Sequence, residues 1–229
     1  MNDVFDPNKN IMTTLKNFGF KTISKLSDVT TLANICYFNF RTNEVNQFVH
    51  KNLIKKPQKT VKIEKVNYWE DLELTCKEHY KEKGKKLYVN YAYKLSSINQ
   101  KLFTVIDPVA GTSFTLPIKK LNHFSLPYAN TCHSVQGLSI DKPMTIFDVN
   151  TPYVDRYFVW TALTRATDFN NITIFEHPQT EVNKLHQSRA RQYFNDKVAS
   201  YMKQDKTAGR KWDDPNLLML IGSMKKHTK

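Results

Sequence analysis

The first apolar run of the chain, Asn34–Phe40, is compact and rich in β-prone residues, and it predicts a buried strand. Arg41-Thr42-Asn43 follows and can cap a helix whose apolar positions recur on one face. The order of strand, turn and helix predicts the start of an α/β unit. Residues 1–33 are polar and weakly patterned, so we interpret them as a lead-in segment with one short helix around Ile11–Phe18.

A lysine-rich stretch, residues 51–66, marks a boundary, after which the pattern changes to short strands with turns between them. Asp107–Gly111 is a turn signal within this region. Closely spaced strands without helices predict a small β-barrel inserted at residues 61–124. The predicted strands include Lys86–Val89, Ala92–Ile98, Lys101–Asp107 and Ser113–Ile118.

The α/β pattern resumes with a strand at Tyr128–Thr131, followed by a loop and a second strand at Met144–Asp148. Thr151-Pro152 is a favourable helix start, because a hydroxyl can cap and proline suits the first turn. The predicted helix continues from Tyr153 to Ala166, and Ile172–Phe175 is the next strand. Alternating strands and helices predict a parallel sheet.

Charge distinguishes this chain from an average globular protein. The 34 lysines and arginines exceed the 21 aspartates and glutamates, so the formal net charge is +13. Residues 184–229 carry +7 of this, with 11 basic and 4 acidic side chains. We therefore predict a basic helical tail at 179–229 and a polyanionic partner, with nucleic acid as the commonest. No apolar run reaches membrane-spanning length, so a membrane partner is not predicted.

Cysteine and histidine usage indicates neither disulfides nor a metal site. Cys36, Cys76 and Cys132 are widely separated, with no C-x-x-C spacing, and there is no H-E-x-x-H pair. The N-terminal residues lack a cationic start followed by an apolar stretch. We expect an intracellular protein with reduced thiols, in the cytoplasm or nucleus, which is not secreted.

Two segments of the sequence resemble motifs of a known protein family. Tyr128–Gly137 (YANTCHSVQG) and Val159–Ala166 (VWTALTRA) resemble motifs V and VI of superfamily 1B helicases of the RecD-like branch, with a UvrD-like C-terminal domain. Ile35–Asn46 resembles the strand and helix that contain motif IV. The resemblance covers residues 34–175 and implies a role in DNA replication or repair. A short tail segment, Tyr201–Arg210, resembles an extension in some large-DNA-virus proteins, although a solvated basic helix explains it almost as well.

The fold implied by this resemblance is α/β. It is a RecA-like second motor domain of the P-loop-NTPase type, with a parallel sheet and helices on both faces. That domain would comprise residues 34–60 and 125–178, and a small β-barrel of the Src-homology type would be inserted between these parts. The basic helical tail would follow.

The resemblance also implies roles for individual residues. Arg165 would be an arginine finger, since a guanidinium is well suited to neutralise the charge that builds on a γ-phosphate. Gln136 would share the catalytic role, and Gln136, Gly137 and Arg165 would approach the nucleotide. Thr131, His133 and Ser134 would lie on the DNA side. For Arg165 the alternative is a surface arginine that favours the helix dipole, and His133 could be purely structural.

Other candidates for DNA contact depend on weaker signals. Asn39 and Arg41 could touch the strand, but a capping or surface role explains them equally well. Aromatic residues interleaved with lysine in the predicted barrel could stack on unpaired bases or simply fill its core. These residues are Tyr68, Trp69, Tyr80, Tyr88, Tyr91 and Tyr93.

A complete motor also needs a phosphate-binding loop, G-x-x-x-x-G-K-[ST], which this sequence lacks. Its one Gly-Lys pair, Gly84-Lys85, is preceded by His79 where the first glycine would stand. We therefore expect ATP and Mg²⁺ to bind only together with a phosphate-loop-bearing RecA-like domain from a partner, with single-stranded DNA as the second partner. The first hypothesis is the C-terminal motor half of a helicase. The alternatives are a non-catalytic nucleic-acid-binding module and a decayed helicase fragment.

Overall fold

The computed structural model describes residues 9–82, 85–151 and 153–188, with isolated positions 192 and 196. The chain divides into two compact units, Met1–Pro178 and Gln179–Lys229. The second unit is described by the helical residues 179–188. Most of the predicted basic tail, residues 179–229, lies outside the described residues.

Short strands outnumber helices along the described part of the first unit. The helices are α1 (Ile11–Asn17), α2 (Asn39–Asn52) and α3 (Arg156–Leu163). The strands are β1 (Lys21–Ile23), β2 (Ala33–Cys36), β3 (Val61–Ile63), β4 (Val66–Tyr68), β5 (Glu73–Cys76), β6 (Tyr80–Glu82), β7 (Lys85–Leu87), β8 (Ala92–Ile98), β9 (Leu102–Ile106), β10 (Ser113–Pro117), β11 (Phe124–Ser125), β12 (Ala129–Thr131), β13 (Met144–Ile146) and β14 (Ile172–Phe175).

The described part of the first unit is built on a five-stranded parallel sheet of order β1-β14-β13-β2-β12. At its centre, Ile146 pairs in register with Ile35 on one side and Ile174 on the other. Every residue of β2 and β13 is buried, as expected for parallel strands that are covered on both faces. The predicted parallel sheet is therefore confirmed.

Helices cover both faces of this sheet. Val45 and Val49 of α2 belong to one core cluster, together with Cys36 and Phe147. The apolar residues of α3 and α1 belong to a second cluster, which contains Ile35 of β2. Because neighbouring strand residues point to opposite faces, the two clusters lie on opposite sides of the sheet. The architecture is that of a RecA-like domain.

A second sheet, entirely antiparallel in its pairing, lies between α2 and β12 in the sequence. Its order is β10-β9-β8-β5-β11, and Tyr93 and Phe103 are fully buried within it. The hairpins β3–β4 and β6–β7 accompany it. The predicted strand Ala92–Ile98 is found with the same bounds. Closure of this sheet into a barrel of the Src-homology type stays a prediction.

Four local predictions need correction. The strand predicted over Asn34–Phe40 ends at Cys36, and helix α2 already begins at Asn39. The carboxylate of Asp148 accepts the N–H groups of Tyr37 and Phe38 and so fixes the turn that leads from β2 into the helix. Arg41-Thr42-Asn43 is therefore inside the helix and is not its cap.

Helix α3 begins at Arg156, later than predicted from Thr151-Pro152. Its cap is Asp155, whose carboxylate accepts the N–H of Phe158 at 2.7 Å. The Thr151 hydroxyl instead donates to the carbonyl of Asp148 at 2.8 Å. The lead-in interpretation of residues 1–33 is also incomplete, because Lys21–Ile23 pairs with β14 as an edge strand of the parallel sheet.

Candidate nucleic-acid interface

A polar groove of about 390 Å³ lies where the carboxyl ends of β2 and β12 meet the antiparallel sheet. In open α/β sheets, ligands bind outside the carboxyl ends of the strands. Hydroxyl and amide side chains dominate the lining. The lining residues are Asn39, Thr42, Thr75, Lys77, Asn90, Ser125, Ala129, Asn130, Thr131 and Ser134.

The end of β12 contributes two predicted DNA-contacting residues, Thr131 and Ser134, to this groove. The Thr131 hydroxyl donates to Ser134 Oγ at 3.2 Å, and Ser134 Oγ donates to the Thr131 carbonyl at 2.8 Å. These bonds hold the short 3₁₀ turn His133–Val135 against the strand end. His133, which begins the turn, is exposed but is not among the lining residues.

The N-terminus of α2 contributes Asn39, which is exposed and lines the groove. Arg41, two residues later, is buried: its side chain is 6% exposed, and its Nε lies 3.4 Å from Asp148 Oδ1. Its Nη1 donates to Glu44 Oε2. The structure therefore brings Asn39 to the groove and gives Arg41 structural partners, so the predicted DNA contact of Arg41 is disfavoured by its burial.

Arg165 lies two residues beyond the end of α3, in contact with the loop that follows the 3₁₀ turn. Its guanidinium donates to the carbonyls of Thr161 at 3.2 Å and Leu138 at 3.0 Å. The backbone joins the same two segments, because Ile140 N–H donates to the Arg165 carbonyl at 2.7 Å. The predicted nucleotide-contacting residues are thus neighbours in space, although Arg165 lies beyond the last turn of the helix.

Gln136 and Gly137 form the exposed corner between the groove and Arg165. Gln136 N–H donates to the His133 carbonyl at 3.3 Å, which closes the turn. Gly137 has φ +84°, and a Cβ built on it would meet no atom within 4 Å. A glycine is favoured here by the left-handed backbone conformation and not by crowding.

The antiparallel sheet supplies further groove residues, among which the sequence did not identify Lys77. Lys77 follows β5, and Asn90 lies in the turn before β8 with φ +61°. Asparagine tolerates this left-handed conformation, and its N–H donates to the Cys76 carbonyl at 2.8 Å. Because lysines are abundant in this sequence, Lys77 does not stand out there, and only the packing of the two sheets shows that it lines the same groove as Thr131.

The aromatic residues predicted for the antiparallel region divide between core and surface. Tyr93 is fully buried and its hydroxyl accepts the N–H of Tyr88 at 3.0 Å. Trp69 stacks on His50, with ring centroids 4.9 Å apart. Tyr88 is 50% exposed and Tyr91 36% exposed. A core role is therefore established for Tyr93, whereas Tyr88 and Tyr91 keep accessible rings.

All three cysteines are buried and form no disulfide bond. Cys36, Cys76 and Cys132 are free thiols. Burial raises the pKa of the Cys132 thiol, while the positive charge of Arg165 opposes that rise.

The described residues contain no group of three or more His, Cys, Asp or Glu side chains that could hold a metal ion. None of the helices in the described part of the chain is long and apolar enough to cross a membrane.

Comparison with known proteins gives a structural likeness only. No protein-family model and no curated protein matches this sequence. Among solved structures, the chain is similar to Bacteroides Pif1 bound to ssDNA, with a TM-score of 0.51 and 13% identity. That match covers 85% of this chain and 53% of the other. The described chain has the fold of a helicase motor domain.

Two further structures are similar at lower scores. Pif1 helicase from Bacteroides in complex with ADP-AlF3 and ssDNA has a TM-score of 0.47 at 13% identity, over 82% of this chain and 52% of that one. Pif1 helicase from Candida albicans has a TM-score of 0.47 at 10% identity, over 83% of this chain and 56% of that one. The chain spans about half the length of the solved structures it matches.

Proposed function

We propose that this chain is the C-terminal motor half of an ATP-dependent superfamily 1 DNA helicase. It supplies an arginine finger and single-strand contacts, and it acts with a phosphate-loop-bearing RecA-like domain that completes the ATP and Mg²⁺ site. One observation carries the proposal. The segment 131–138 connects the groove to Arg165, with Thr131 and Ser134 at one end and Leu138 against the guanidinium at the other.

In this geometry, segment 131–138 would couple the binding of a DNA strand to the binding of a nucleotide. A shift of the loop after β12 would move groove residues and the surroundings of Arg165 together, because hydrogen bonds fix both ends of that loop. The likeness to Bacteroides Pif1, whose structure was solved bound to ssDNA, supports single-stranded DNA as the ligand. The net charge of +13 favours the same partner.

Arg165 suits the role of a finger because its guanidinium is held in place but not neutralised by its described hydrogen-bond partners. They are two carbonyl oxygens and the hydroxyl of Thr164, none of which carries a negative charge. An arginine that is oriented by neutral acceptors keeps its full positive charge for a γ-phosphate. Without a phosphate loop in the sequence, that phosphate must be held by another domain.

The proposal is tested by measuring ATP hydrolysis of the full chain mixed with a phosphate-loop domain encoded beside it. We expect stimulation by the mixture that Arg165→Ala lowers about 10³-fold or more, the range for arginine fingers. Arg165→Lys should rescue little of it, because lysine lacks the planar fork. Arg156→Ala, at the opposite end of α3, is the matched control and should stay within about twofold of wild type. Stimulation that survives Arg165→Ala contradicts the proposal.

A non-catalytic nucleic-acid-binding module is the second candidate, and the groove itself favours it. Its hydroxyl and amide side chains could bind a strand without any nucleotide chemistry. The same assay separates the two candidates. A chain that binds single-stranded DNA but is not stimulated by any phosphate-loop domain would be a binding module.

A further inference from the structure

The parallel sheet has a topological switch point between β2 and β13. From β2 the chain crosses through α2 to β12, whereas from β13 it crosses through α3 to β14, in the opposite direction along the sheet. The two helices pack on opposite faces, in separate core clusters. The loops after β2 and β13 therefore diverge at the carboxyl edge of the sheet, where open α/β sheets usually bind their ligands.

Four aromatic residues follow β2 and β13 at this switch point, and we call them the switch-point aromatics. They are Tyr37, Phe38 and Phe40, which follow β2, and Tyr153, which follows β13. Phe38 is central: it stacks on Phe40 at 5.1 Å and meets Tyr37 and Tyr153 edge-on at 5.0 and 6.4 Å. The rings form one connected surface.

This surface is open and yet firmly supported. Phe40 is 50% exposed and Tyr37 is 39% exposed, so both rings present accessible surface within one cluster. Underneath, Tyr37 packs edge-on against the buried Phe158 at 5.3 Å. The backbone N–H groups of Tyr37 and Phe38 are held by Asp148. The rings are thus positioned in advance, so little conformational entropy is lost when a ligand stacks on them.

The switch-point aromatics adjoin the polar groove through Asn39. Asn39 lines the groove and stands between Phe38 and Phe40 in the sequence. Among the described lining residues, Lys77 is the only charged side chain, so phosphate neutralisation inside the groove is limited. A DNA strand bound there needs another source of affinity, and the exposed rings beside Asn39 can supply it by stacking.

We propose that the switch-point aromatics bind unpaired nucleobases of a DNA single strand whose sugar–phosphate backbone lies in the groove. This proposal depends on the proposed single-strand binding, and it adds that the aromatic rings bind the bases of the strand. Every base has a π-face, so the contact would be tolerant of sequence.

The test compares two oligonucleotides of equal length, one of oligothymidylate and one with abasic residues at its central positions, by fluorescence anisotropy with the full chain. Wild type should bind the oligothymidylate at least about fivefold more tightly, from the stacking of one base or more. Phe40→Leu should remove this preference and leave the abasic affinity within about twofold. Phe40→Tyr should restore it. Phe169→Leu is the matched control, an aromatic residue that is 41% exposed elsewhere in the same unit, and it should behave as wild type.

Tyr37→Leu provides a second variant if Phe40→Leu does not fold, as judged by circular dichroism. Equal affinity of wild type for both oligonucleotides overturns the stacking proposal while single-strand binding stands. Absence of any binding to either overturns both. If thymidine monophosphate displaces the oligonucleotide at an equal concentration, the rings form a pocket for a free nucleotide, and the proposal is overturned. If wild type self-associates and Phe40→Leu does not, with unchanged DNA affinities, the rings form a protein contact and the proposal is overturned.

Discussion

Asp148 and Arg41 form a buried ion pair between the end of β13 and the first turn of α2, with 3.4 Å from Arg41 Nε to Asp148 Oδ1. The side chain of Asp148 is fully buried, and that of Arg41 is 6% exposed. The other oxygen, Oδ2, accepts the N–H groups of Tyr37 at 3.0 Å and Phe38 at 3.3 Å. His177 Nε2 lies 3.0 Å from Oδ1. One carboxylate therefore fixes the loop between β2 and α2.

Asp148→Asn should lower the free energy of unfolding by about 2 kcal/mol, because it removes the buried carboxylate beside Arg41 while Glu44 remains as a partner. The amide oxygen can keep one of the backbone N–H bonds at the start of α2, so folding should persist. Urea denaturation measures the change. The exposed Asp141→Asn is the matched control and should shift stability by no more than about 0.5 kcal/mol. A loss of less than about 1 kcal/mol for Asp148→Asn would show that the ion pair is not a main support.

The fold was predictable where local pattern and packing agree. Ala92–Ile98 and Ile172–Phe175 are recognisable because β-branched and aromatic residues have a strong preference for strands. Lys21–Ile23 was missed because three residues with one apolar side chain carry no periodic signal, and this strand exists only by pairing with β14. The start of α3 was misplaced because Thr151 and Asp155 are both good caps, and the hydroxyl of Thr151 is bound to Asp148 instead.

The candidate site was predictable only in its contiguous segments. Thr131 and Ser134 lie three residues apart, and their chemistry is visible in the sequence. The burial of Arg41 depends on Asp148, which is 107 residues away, so local sequence could not distinguish an exposed arginine from a paired one. Lys77 reaches the groove because a second sheet packs beside the first, and no sequence spacing encodes that contact.

His50 should make the fold sensitive to mild acid. Burial lowers the pKa of this imidazole from 6.5, and the nearby Lys56 acts in the same direction. Below pH 6.5 the unfolded chain therefore binds a proton more readily than the folded one, so stability falls as the pH drops from 6.5 through the lowered pKa. His50→Gln should reduce this pH dependence, measured by urea denaturation between pH 7.5 and about 5. Equal slopes for the variant and wild type would exclude His50 as the cause.

Gly137 should resist substitution because of its backbone conformation. At φ +84°, a residue with a Cβ is strained, and the cost should be about 1–2 kcal/mol for Gly137→Val. Gly137→Asn should cost less, since asparagine enters this region more readily. The space around the site is open, so side-chain size alone should matter little. Thermal denaturation of both variants tests the order, and equal losses for asparagine and valine would contradict it.

Lys77 should contribute to the salt dependence of single-strand binding at the groove. Its Nζ lies 3.5 Å from the neutral Asn43 Oδ1, and none of the described carboxylates forms an ion pair with it. One phosphate contact on a single strand contributes a slope of about −0.7 in log affinity against log salt. Lys77→Met should therefore make the slope shallower by about 0.7, equally for all base sequences. Lys62→Met, an exposed lysine of β3 outside the groove, should leave the slope unchanged. An equal change in both variants would mean that Lys77 acts through net charge alone and does not bind a phosphate in the groove.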